Sequence, residues 1–172
     1  MTTSWSWLED TYWCVPLVSL PALRFDQSDN ALTWLIDQTV WHIAGYRDGY
    51  FWGVNAALLR DAGEEAPERG PGSQPRGFTM LGSVTPEGSV HLTFIPSSGG
   101  SPTIGLGRIV PFEAGQSFEM QMSTGAGSKT TAHWAFMAQV RPGDPSWDSL
   151  PGFDGWSVDK MLEGLEPPSV EK

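Results

Sequence analysis

Cysteine is almost missing from this chain. Cys14 stands alone among 172 residues, so an intrachain disulfide is excluded. Basic residues are scarce too: 10 Lys and Arg face 20 Asp and Glu, a formal net charge of -10. Phosphate backbones and anionic lipid surfaces repel such a surface, so neither nucleic acid nor a membrane is an expected partner. No apolar run approaches the roughly 18 residues of a membrane-crossing helix. The opening MTTSWSWLEDTYW lacks a basic n-region and a continuous apolar h-region, so no secretory signal is expected and the cytoplasm is the expected compartment. No Gly-x-Ser-x-Gly, P-loop, dinucleotide fingerprint or Cys-x-x-Cys occurs, and no cofactor is expected.

What the chain has in excess is aromatic: nine Trp and eight Phe, with three Tyr. Large aromatics fill cores, line pockets or carry interfaces. Twenty Gly and 14 Pro suit an all-β fold with many turns.

The stretch Thr39 to Leu59, TVWHIAGYRDGYFWGVNAALL, reads as two strands folded on Arg47-Asp48-Gly49. Apolar side chains occupy both faces of both strands. An ordinary surface hairpin buries one face and wets the other. Here the second face must meet more of the chain, a ligand or a partner copy. Further on, Phe78 to Val84 and Ser89 to Ile95 form a second hairpin over Thr85-Pro86-Glu87-Gly88. Thr103 to Val110 carries Gly105 and Gly107 on one face, a sign of a bend or a close approach. Ser117 to Ser123 alternates cleanly, with Phe118, Met120 and Met122 inward. Thr130 to Val140 presents Ala132, Trp134, Phe136, Ala138 and Val140 as its apolar face.

The remaining segments are less regular. Residues 1 to 38 form an irregular lead-in, with a helical turn over Ser6 to Tyr12 and a first strand near Ala31 to Ile36. Residues 61 to 77, polar and rich in Pro and Gly, read as a mobile loop and a candidate lid. Ser157 can N-cap a short helix over 157 to 165. The sum is one all-β domain spanning 1–172: an antiparallel up-and-down β-barrel of about eight strands with a short C-terminal helix.

The meander of strands, the aromatic lead-in and the late helix resemble the calycin group of lipocalin-like and avidin-like barrels. The Gly-x-Trp of lipocalins is absent, so no residue's role is carried over. The resemblance implies an apolar cavity, open at one end, holding one small ligand.

Candidate site residues follow from these strands. Trp41, Tyr50, Trp52, Met120, Met122, Trp134 and Phe136 can line an aromatic and thioether cavity, or pack a core. Arg108 shares a face with Ile104 and Leu106; turned inward, it needs an anion. Asp37, His42 and Tyr46 are the candidate acid–base groups, with Gln38 and Asn55 as further hydrogen-bonding groups. His42, His91 and His133 show no ligand-type spacing, so no metal site is expected. Cys14 has no basic neighbour and reads as a buried, inert thiol. Three functions stay open: binding of a small, mostly apolar or aromatic molecule; a cofactor-free isomerase, cyclase or lyase on the same barrel; and an interaction protein, such as a homodimer, joined through the aromatic hairpin. The face each strand turns inward decides among them.

Overall fold

The computed structural model describes residues 5–63 and 74–170. Nine strands form one antiparallel sheet: β1 (Thr11–Cys14), β2 (Leu20–Asp26), β3 (Ala31–Arg47), β4 (Tyr50–Asp61), β5 (Arg76–Val84), β6 (Ser89–Pro96), β7 (Thr103–Phe112), β8 (Gly115–Ala126) and β9 (Lys129–Val140). From β3 to β9 each strand pairs with the next. The sheet closes because β1 and β2 both sit between β9 and β3, giving an eight-stranded barrel whose last position is shared by two short strands. β1 pairs Cys14 with Val40 and Ala138; β2 pairs Ala22 with Leu35 and His133.

Local chemistry sets these elements. β3 turns into β4 through Asp48 (φ 52°) and Gly49 (φ 88°), the pair of positive φ values that a two-residue hairpin turn needs. The expected first strand near Ala31 and the expected strand from Thr39 are one 17-residue strand. Its length lets the first half pair with β2 and the second with β1. The lead-in therefore holds two strands that its sequence conceals. Pro21 is tolerated in β2 because the ladder to β9 begins only at Ala22. The expected helical turn shortens to a 3-10 turn at Ser6–Leu8.

Gln38 bridges the gap between β1 and β2. Its side chain accepts from the Val15 amide (3.0 Å) and donates to the carbonyls of Val15 and Pro151 (both 3.1 Å). Those bonds replace the ladder that the loop between Cys14 and Leu20 interrupts.

The barrel interior divides into two halves. One is packed with buried aromatic and aliphatic side chains. Phe118 lies 4.7 Å from Trp13 and 5.4 Å from Trp41 between ring centroids, with Phe51 beside it. Leu8, Ile43, Met80, Leu92 and Met120 complete this plug. Gly105 and Gly107 face inward on β7, and the side chains of Met120 and Met122 take the space they leave. A Cβ on Gly107 would run into the Glu119 carbonyl oxygen, so the two strands approach closely there.

The outer face of the hairpin meets more of the chain. After β9 the chain forms α1 (Pro145–Asp148) and α2 (Val158–Leu162), both short. Ser157 caps α2 by accepting from the Lys160 amide at 3.2 Å. Trp147, Phe153, Trp156 and Met161 from this segment cover Cys14, Val40, Ala56 and Leu58. The two greasy faces of β3 and β4 thus serve the plug inside and this cover outside. Burial pushes the Cys14 thiol up to about 12, with Asp144 adding to the shift.

Candidate functional site

The other half of the barrel holds a cavity of about 390 Å³. It opens where Asp61, Gln74 and Arg76 form the rim. Residues 64 to 73, most of the expected lid, lie outside the described residues. Phe78 and Phe94 meet edge to face at 6.4 Å, and Phe94 rests on Trp41 of the plug. With Leu35, Ala57 and Met122 they make the apolar part of the wall.

The polar part comes from β3, β4 and β9. Asp37 is 1 % exposed, and its Oδ2 lies 3.4 Å from His133 Nδ1. The Thr39 hydroxyl donates to both carboxyl oxygens at 3.1 and 3.3 Å. A buried carboxyl needs such partners to stay in an apolar wall. Asn55 also lines the cavity, and its buried Oδ1 has no hydrogen-bond partner among the described residues. Thr103 and Thr131 add hydroxyls nearer the mouth, beside Arg24 and Arg76. Chemically, the wall offers an apolar surface, an unfilled acceptor, a buried imidazole nitrogen within ion-pair range of a carboxyl but without a hydrogen bond among the described residues, and guanidinium groups at the opening.

The structure places the sequence-derived candidates unevenly. Asp37, Asn55 and Met122 lie on the cavity. Trp41 and Met120 face inward but are spent in the plug. Five others are corrected to the outside of the barrel. Tyr50 is 65 % exposed at the hairpin end, and Trp52 lies across Gly45, whose absent side chain makes room for the indole. Arg108 is 68 % exposed and pairs with Glu119 of the neighbouring strand at 3.1 Å, so it needs no internal anion. Trp134 and Phe136 stand on the outer wall, where Phe136 meets Phe112 edge to face at 4.8 Å. The inward face of β9 is the other one, carrying His133, Ala135 and Met137.

Two acid–base candidates leave the cavity as well. His42 stacks on Tyr12 at 4.2 Å and points its Nε2 to Asp10 at 3.2 Å. The Tyr46 hydroxyl accepts from the Gly49 amide at 3.1 Å and so braces the hairpin turn. Gln38 joins the seam described above. Sequence reasoning passed over Arg24, Arg76, Phe78, Phe94 and the role of His133. The signal for Arg24 is its spacing from Leu20 and Ala22, which puts all three on one face of β2.

Among the described residues no three His, Cys, Asp or Glu side chains gather as a metal site, and no helix is long and apolar enough to cross a membrane. A second, shallower groove on the outer wall lies between Trp34, Leu106 and Trp134. Compared with known protein families, curated proteins and solved structures, the chain matches none.

Proposed function

We propose that this chain is a calycin-like binding barrel that holds one small, mostly apolar or aromatic molecule in its half-open interior. The observation that carries the reading is the division of the interior. Buried aromatic and aliphatic side chains pack one half, while the other keeps about 390 Å³ walled by Leu35, Phe78, Phe94 and Met122. That volume is within the range of small-molecule sites, roughly 300–1,000 Å³. The lone buried thiol of Cys14 suits the reducing cytoplasm, which is where the reading puts the protein.

Titration with the neutral dye N-phenyl-1-naphthylamine tests it. A rise in dye fluorescence is expected, and the Ala57→Trp variant, which fills the cavity, should abolish it. Absence of uptake, or uptake that Ala57→Trp leaves intact, overturns the reading, the latter moving the dye to the outer groove.

A second reading, a cofactor-free isomerase, cyclase or lyase, draws on the Asp37–His133 pair. His133 would move a proton on the bound molecule, Asp37 would orient its imidazole, and Thr39 would fix Asp37. In that case His133→Gln removes turnover of a bound compound while its affinity stays. Turnover that survives the substitution removes His133 from the chemistry.

A further inference from the structure

We infer that the molecule held in this cavity is an anion, its apolar body seated on Phe78 and Phe94 and its carboxylate or sulfonate-like group held at the mouth by Arg24 and Arg76. This rests on the binding reading above and names the ligand class for the same site. The chain has only 10 basic residues against 20 acidic ones, yet Arg24 on β2 and Arg76 on β5 line one opening. Among the described residues, no carboxylate forms an ion pair with either guanidinium. Arg76 instead lies over the Phe78 ring, 5.3 Å from its centroid, which fixes the planar group beside the apolar wall.

The other charged groups nearby do not answer them. Asp37 is engaged by Thr39 and faces His133. Asp61 stands on the rim without an ion pair to either arginine among the described residues. Arg60 also borders the cavity, with its guanidinium over the Phe153 ring at 5.5 Å. Guanidinium groups match planar anions with paired hydrogen bonds, and partial removal from water strengthens the contact. Deeper in the cavity, the unfilled Asn55 Oδ1 asks for a donor, so a hydroxyl or N–H on the ligand's body completes the match.

Two dyes that differ by one anionic group provide the test: 8-anilinonaphthalene-1-sulfonate and the neutral N-phenyl-1-naphthylamine. The sulfonate is expected to bind about tenfold more tightly than the neutral dye. Arg24→Gln/Arg76→Gln should erase that preference and leave the neutral dye's affinity within about twofold. Arg108→Gln, on the outer wall, should change neither. Added salt supplies a measurement independent of any variant. Pairing with fixed cations makes sulfonate affinity fall with salt, whereas general repulsion from an acidic protein would make it rise.

Equal binding of the two dyes overturns the anion inference and leaves the cavity reading standing. So does a preference that survives in the double variant, or a sulfonate affinity that rises with salt. Uptake of neither dye removes the cavity reading itself, and the inference with it.

Discussion

Asp37 on β3 and His133 on β9 meet inside the barrel on either side of β2, with Oδ2 3.4 Å from Nδ1. Neither strand pairs with the other at this level, so the contact ties together two walls that the sheet joins only through β2. Removing one member leaves a buried polar group without its partner. Asp37→Ala is expected to cost about 3 kcal/mol of stability in urea unfolding. In a double-mutant cycle with His133→Ala the coupling should be about 1 kcal/mol or more. A cycle that closes additively would show that the two side chains do not interact.

The seam between β1 and β2 makes a separate prediction. Gln38 both accepts from and donates to Val15, and it also reaches Pro151. Gln38→Ala strands those backbone groups and should lower stability by about 2 kcal/mol. Gln38→Glu should be no better. It still accepts from the Val15 amide, but an ionised carboxylate sets oxygen against the carbonyls of Val15 and Pro151. A glutamate variant as stable as the parent would refute the assigned hydrogen bonds.

Within the plug, Phe118 touches Trp13, Trp41 and Phe51. Phe118→Ala should cost about 3–5 kcal/mol, because the surrounding rings are held by the strands and cannot collapse into the gap. Met122 borders the cavity, so Met122→Ala enlarges an existing space and should cost less. Thermal or denaturant midpoints of the two variants decide the order.

Cys14 gives the pH dependence. Its folded value is pushed up to about 12 from an ordinary 9.0 by burial, then by Asp144. Between these values the unfolded chain ionises this thiol and the folded chain does not. The thiol therefore favours unfolding progressively as pH rises through that window and contributes nothing to pH dependence near neutrality. Native protein should resist a disulfide-exchange reagent at pH 8 and react with one equivalent once unfolded. Rapid labelling of the native state would contradict the burial.

The strands from Thr39 onward were legible because turn residues punctuate them and side chains alternate between them. Their inward faces were less so. In β9 the sequence offers Trp134 and Phe136 on one side and His133, Ala135 and Met137 on the other. The larger residues look like the core side, yet they stand outside. The plug already holds Trp13, Trp41, Phe51 and Phe118, and the remaining space takes a small residue and a flexible one. A strand apolar on both faces carries no contrast to set its phase. Arg108 was ambiguous for the same reason: Ile104 and Leu106 beside it are apolar but face outward.

The lead-in hid β1 and β2 because Pro16 and Pro21 interrupt any period. It also hid Arg24, whose inward aim depends on β2 being a strand at all. His133 could not be joined to Asp37 from the sequence, since their meeting depends on barrel closure and on both strands' registers. Asp37 alone was visible, as a carboxyl beside an aromatic run. Both it and Gln38 looked like a break before a new strand, and both are buried within β3 for different reasons.

The wall is completed only when Tyr12 finds Val140 and Ala22 finds His133. On the ribosome, β1 and β2 emerge before the other strands of the sheet and must wait for β9, the last of them, before gaining their second neighbour. During that wait they present unpaired amides and carbonyls, which other nascent chains can add to. The interruption between Cys14 and Leu20 divides this waiting border into runs of 4 and 7 residues. Short, offset runs make a poor template, so the break that weakens the finished wall also protects the unfinished one.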